Sequence, residues 1–136
     1  MKYFKLLLVV FLLFSSAPVV MAQDLVAKEE IKPIFTDKDK DFLQLWYYEQ
    51  VLKMDLDEEA RYDYLGLLTY YTYKMRRLSH PKYNYTDEEQ KMKFREIVQR
   101  LDTEMQDYLS EGNYKIHKES FGRIIAKVNE KKGWED

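Results

Sequence analysis

Residues Leu56 to Leu78, LDEEARYDYLGLLTYYTYKMRRL, decide the fold. Set on a helix at about 100° per residue, the stretch carries two apolar faces. Ala60, Tyr64, Leu67, Leu68, Tyr71, Met75 and Leu78 recur at helical spacing and form a stripe suited to a core. On nearly the opposite side, Tyr62, Gly66, Tyr70, Tyr73 and Arg77 follow one another at three- and four-residue steps. The first face packs the helix into its own domain. The second, aromatic face needs another surface to touch.

Working outward, Asp55 and Asp57 separate this helix from the one before it. Asp55 with Glu58 has capping-box spacing, and Asp57 is an equal alternative as cap. The preceding helix is predicted to start at Thr36 or Asp37 and to run to about Met54. Phe42, Leu45, Trp46 and Leu52 lie to one side of it and Leu43, Tyr47, Val51 and Met54 to the other, so both sides call for cover. Gln23 to Phe35 lacks a sustained period and holds Pro33, which predicts an extended arm.

Downstream, Ser79-His80-Pro81 ends the central helix, because proline disfavours a helical residue before it. Thr86-Asp87-Glu88-Glu89 is a capping box with its acids at the favourable end of the helix dipole. It opens a third helix over Asp87 to Tyr108, whose stripe is Phe94, Ile97, Val98, Leu101, Met105, Tyr108 and Leu109. Ser110 can cap a fourth, with Asn113 three residues on and Tyr114, Phe121, Ile124, Ile125 and Val128 as its stripe. Gly133 takes the usual place just past a helix end. Gly112 and Gly122 weaken this helix by up to about 1 kcal/mol each relative to alanine. No stretch alternates as a strand does. The sequence predicts an all-α protein of four helices, the second and third long, with one domain over residues 36–132 and a tail over 133–136.

The first residues read as an export signal. Lys2 and Lys5 precede an apolar run from Leu6 to Phe14, and Ser15 to Ala22 is more polar and holds Pro18. Val20-Met21-Ala22 places tolerated residues for cleavage before Gln23. Nine unbroken apolar residues fall short of the about 20 that cross a bilayer, so membrane insertion of the mature chain is not expected. Cleavage leaves 114 residues, a length suited to one domain. Without Lys2 and Lys5 there remain 20 basic residues against 24 acidic ones, a net charge near −4. Nucleic-acid binders need a basic footprint, which argues against such a partner. The chain has no cysteine, hence no disulfide, no thiolate chemistry and no lipid-anchoring cysteine. An exported domain held by packing alone suits a bacterial periplasm. There the formal glycosylation sequon Asn84-Tyr85-Thr86 carries no meaning.

Two short segments carry a family resemblance. Leu56-Asp57-Glu58-Glu59-Ala60 and Leu109-Ser110-Glu111-Gly112-Asn113 resemble the paired LTXXQ motifs of the Spy/CpxP family of bacterial periplasmic proteins. The second is the better match, with serine for threonine and asparagine for glutamine. In the first, Ala60 stands where glutamine is expected. The resemblance spans roughly Asp41 to Val128. It implies an elongated hairpin or cradle-like helical bundle, an antiparallel homodimer and ATP-independent holding of unfolded or damaged envelope proteins. The motif also has a purely physical reading: the leucine closes one helix against the core and the next residue caps the following helix. The fifth residue can reach back to that cap.

The candidate client or dimer surface comprises Tyr62, Tyr70, Tyr73, Lys74, Arg76 and Arg77. Tyrosine joins an apolar ring to a wettable end, and adjacent cations suit weak, promiscuous contact. The same tyrosines can instead pack on the first helix or across a dimer seam, and the cations can simply complement the helix dipole. Burying three tyrosines at about 150–250 Å² each gives on the order of 10 kcal/mol gross. Association costs about 4–15 kcal/mol, so area alone does not choose between seam and client surface. His80 and His117 are the only histidines and do not pair at helical spacing. His117 is expected as a partly buried structural residue, and no metal or cofactor is expected. No nucleophile–histidine pattern or phosphate loop appears, so no catalytic activity is expected. The leading expectation is a periplasmic chaperone or envelope-stress protein. The alternatives are a regulatory protein binding one specific envelope partner, such as a sensor domain, and a metal-responsive binder.

Overall fold

The computed structural model describes residues 32–135. The predicted signal peptide and residues 23–31 of the predicted arm (Gln23 to Phe35) lie outside them, as do the side chains of Asp37, Phe42, Tyr47 and Tyr48. The described residues form four α-helices and no strand: α1 (Asp37–Gln50), α2 (Glu58–Arg77), α3 (Asp87–Tyr108) and α4 (Glu111–Lys132). Single 3₁₀ turns occupy Val51–Lys53 and Pro81–Tyr83. The protein is all-α, and no described helix is long and apolar enough to cross a membrane.

Each helix starts on a side-chain oxygen that satisfies an otherwise orphaned backbone N–H. Thr36 and Asp39 form a reciprocal box, the Thr36 N–H donating to Asp39 Oδ2 at 2.7 Å and the Asp39 N–H to Thr36 Oγ1 at 3.4 Å. Asp57, rather than Asp55, caps α2 by accepting from the Ala60 N–H at 2.7 Å. Thr86 accepts from Glu89 N at 3.1 Å and Ser110 from Asn113 N at 3.3 Å. Gly133 adopts φ 68° after α4. Its N–H and that of Trp134 then bond back to Glu130 O and Asn129 O, a Schellman closure.

The helices run alternately up and down. Tyr108 Oη reaches Ala60 O at 3.3 Å, so the end of α3 meets the start of α2. Lys131 Nζ meets Asp39 Oδ2 at 2.7 Å, so the end of α4 meets the start of α1. Packed pairs are α2 with α3, α3 with α4 and α4 with α1. Between α1 and α2 a groove remains, lined by Phe35, Lys40 and Leu43 on one side and Thr69, Tyr70, Thr72, Tyr73 and Arg76 on the other.

The core takes Tyr64, Leu68, Tyr71, Met75 and Leu78 from α2 and its end, with Phe94, Leu101, Met105 and Leu109 from α3 and its end. Phe121, Ile124 and Val128 come from α4. The first helix departs from its expected course. It stops as an α-helix at Gln50, and the tighter 3₁₀ turn swings Val51 and Met54 inward, where both are buried. Trp46 is buried against Phe121 at 5.6 Å between ring centres, while Leu45 and Leu52 remain half exposed. Both sides of α1 contribute to the core, but neither is fully covered.

The flanking segments contribute as well. Ile34 and Phe35 are buried, with Ile34 held by Ser79 Oγ and by Lys131 Nζ, which donates to its carbonyl. Trp134, past the end of α4, is 2 % exposed. It sits 5.4 Å from Phe94 and donates its indole N–H to the Asp87 carboxylate at 3.1 Å. The first and last described segments are therefore tied to the bundle.

Candidate functional site

The second face of α2 lies on the outside of the bundle. Tyr62 is 79 % exposed, Tyr70 51 % and Tyr73 46 %, with Gly66 exposed and Arg77 half-buried. The sequence brings cations to these rings through the helical repeat, since residues three and four apart are neighbours. Lys74 Nζ lies 4.6 Å from the centre of the Tyr70 ring, four residues before it. Arg77 lies 5.3 Å from the Tyr73 ring and donates to its hydroxyl at 2.5 Å. Arg76 is 5.9 Å from the centre of the Tyr73 ring. A cation over an aromatic face is held by the ring quadrupole. The rings that would otherwise be bare apolar surface are thus presented with charges attached.

The ladder continues beyond α2. Arg77 also donates to the Tyr83 hydroxyl and lies 5.2 Å from that ring. Its hydrogen bonds to both tyrosines raise its affinity for a proton still further. Asn84 takes a left-handed turn at φ 49°, a conformation that asparagine tolerates better than most residues. Tyr83 and Tyr85, on either side of it, stack with ring centres 5.5 Å apart and planes 7° from parallel. Lys93 of α3 lies 4.8 Å from the Tyr85 ring. These groups line a shallow groove of about 320 Å³ together with Leu78, Ile97, Glu96 and Arg100.

Five of the six expected surface residues border two neighbouring grooves, and the sixth does not. Tyr70, Tyr73 and Arg76 border the α1–α2 groove, and Lys74 and Arg77 border the α2–α3 groove. Tyr62 stands apart near the start of α2. Tyr83, Tyr85, Lys93 and Arg100 were not singled out from the sequence. Asn84 between two aromatic residues was the available signal, because a left-handed turn can bring its neighbours side by side.

The two family-motif segments meet at the other end of the bundle. Leu56 packs against the core, Leu109 is buried, and Asp57 and Ser110 are caps. Ala60 contributes its backbone, donating to Asp57 and accepting from Tyr108. Asn113 does not turn its side chain back to its own cap. Its amide instead brackets the backbone of Asp55, accepting from the N–H at 3.0 Å and donating to the carbonyl at 3.1 Å. The residue thus fastens the α1–α2 connection to the start of α4, a structural task.

The histidines have separate duties. His80 accepts from the Lys82 N–H and caps the 3₁₀ turn. His117 is 3 % exposed, deeper than its edge position suggested. Its Nδ1 lies 2.7 Å from the Tyr64 hydroxyl, and its ring stacks on Phe121 at 5.5 Å. Burial lowers its pKa to about 4 and raises that of Tyr64, so imidazole and phenol are both neutral near pH 7. Among the described residues, no group of three or more His, Asp or Glu side chains is placed to hold a metal ion. No protein-family model, curated protein or solved structure matches the chain.

Proposed function

We propose that the chain is an exported, non-enzymatic holding protein: an ATP-independent chaperone or envelope-stress protein of the periplasm that retains unfolded polypeptides. The observation that carries this reading is the outer face of α2, where Tyr70 and Tyr73 stay about half exposed with cations against their rings. Such a face offers apolar contact, hydrogen bonding and charge in one place without demanding one partner shape. The LTXXQ resemblance and the signal-like N-terminus agree with this role and with a homodimer. Purified mature protein at stoichiometric amounts should suppress aggregation of several unfolded clients without ATP. Folded protein that protects none of them would refute the role.

A second reading, regulation through one specific envelope partner, draws on the fixed Tyr73–Arg77–Tyr83 connection. A pre-organised surface lowers the cost of binding one matching shape. Capture from envelope extracts separates the two readings: a broad set of bound proteins supports holding, and one dominant partner supports regulation.

A further inference from the structure

We infer that the α2–α3 groove is a binding site for acidic, extended polypeptide segments, with the pattern acidic–x–apolar–x–acidic. This deepens the holding function and rests on it by naming the class of client segment. The groove is lined by four cations, Lys74, Arg77, Lys93 and Arg100, against one carboxylate, Glu96. Glu96 is already committed to Arg100 at 2.6 Å. This local excess of positive charge occurs in a chain whose formal net charge is −2, so it is a feature of the groove rather than of the whole surface.

The spacing of the charges selects an occupant. Lys93 and Arg100 are seven residues apart on α3, about 10 Å along its axis. That spread exceeds what one phosphate or carboxylate bridges. In an extended acidic–x–apolar–x–acidic segment the two acids lie four residues, about 13 Å, apart, a span that the long Lys93 and Arg100 side chains reach from helix positions about 10 Å apart. Between the charges, Leu78, Ile97 and the stacked Tyr83–Tyr85 pair offer apolar and aromatic contact. A single apolar side chain set between two carboxylates meets that surface while its acids reach Lys93 and Arg100. Lys93 rests over Tyr85 and Arg77 over Tyr83. Lys93 and Arg77 are thus kept against the rings, while Arg100 is held by an exposed ion pair with Glu96 that a client carboxylate competes for.

The test is fluorescence anisotropy on protein purified after export, with labelled Asp-Ser-Phe-Ser-Asp and Lys-Ser-Phe-Ser-Lys peptides at low and physiological salt. The acidic peptide should bind at least about tenfold more tightly than the basic one, and added salt should weaken it by screening. Lys93→Glu with Arg100→Glu should reduce its affinity by about tenfold, as expected for reversing two exposed charges. Circular dichroism checks that the variant is folded, and Lys93→Gln with Arg100→Gln serves if it is not. Equal binding of both peptides, or undiminished binding by the folded variants, overturns the inference. So does displacement of the peptide by inorganic polyphosphate that itself binds more tightly, which makes the groove a phosphate site. Aggregation assays on the same samples separate the two claims. Clients held without acidic preference remove this inference alone, whereas acidic peptides bound without protection of any client remove the holding function.

Discussion

Tyr64 and Tyr70 lie on the same helix and meet opposite fates. Tyr64 faces inward, has no exposed surface, and pairs its hydroxyl with His117 from another helix. Tyr70 faces outward, half exposed, and keeps Lys74 from its own helix against its ring. Tyr71 and Tyr73 repeat the contrast: Tyr71 is buried with its hydroxyl on Glu104 of α3, and Tyr73 is exposed beside Arg77. Buried phenols therefore use long-range partners that define the bundle. The exposed Tyr70 and Tyr73 use neighbours three and four residues away, which any isolated helix could supply. The inner tyrosines are stability and the outer ones are available surface.

The largest break in this comparison is Tyr64→Ala. Removing a buried aromatic ring costs about 3–5 kcal/mol, and His117 also loses its hydrogen-bond partner. Urea unfolding should show a loss of about 4 kcal/mol, and of about 1–2 kcal/mol for Tyr64→Phe, which keeps the ring. Tyr70→Ala should stay within about 0.5 kcal/mol in the same assay. An equal loss at Tyr70 would show that the outer face is structural.

Acidification probes the inner face through His117. Its folded pKa is lowered to about 4 from 6.5, so between these values the unfolded chain binds a proton that the folded chain refuses. Stability is therefore unaffected by this group above pH 6.5. It falls as the pH drops toward 4, by about 3 kcal/mol in all at 1.36 kcal/mol per pH unit. Unfolding measured across pH 7 to 4 should show this slope, and His117→Gln should flatten it.

Which of these features could be read in the sequence follows the same divide. The bounds of α3, the Ser110 cap, the Gly133 stop and the inner stripe of α2 are local, set by period and by capping oxygens within three residues. The Tyr64–His117 and Asn113–Asp55 bonds join residues 53 and 58 positions apart. Local pattern has no means of choosing such partners, and for Asn113 it offers only a reach back to its own cap. Trp134 was readable in principle. A residue just past a helix-ending glycine often makes an apolar contact with the last turn. The end of α1 was not, because the inward turn of Val51 and Met54 answers to a core assembled by the other three helices.

Gly66→Ala sharpens the outer half of the comparison. A Cβ at Gly66 meets nothing within 4 Å, so alanine should stabilise α2 by about 1 kcal/mol through helix propensity alone. A thermal melt measures this directly. If the outer face is a seam in which a second chain approaches the Gly66 backbone closely, the same substitution should instead reduce the dimer fraction in light scattering.

Tyr70→Glu with Tyr73→Glu has the smallest expected effect on folding and the most to say about function. Each new carboxylate stands four residues before a cation, Lys74 or Arg77, the favourable order for a helical ion pair. The helix should keep its stability to within about 0.5 kcal/mol while its outer face loses the rings that give it apolar reach. The double variant thus removes surface without removing fold, which no substitution on the inner face can do. The mature wild-type chain should scatter light as a dimer. A monomeric variant would identify the tyrosine face as the seam, and clients would then have to bind elsewhere, with the α2–α3 groove as the nearest alternative. A variant that stays dimeric but no longer prevents client aggregation would assign the face to clients. A variant that keeps both properties would show that exposure of these tyrosines carries neither role.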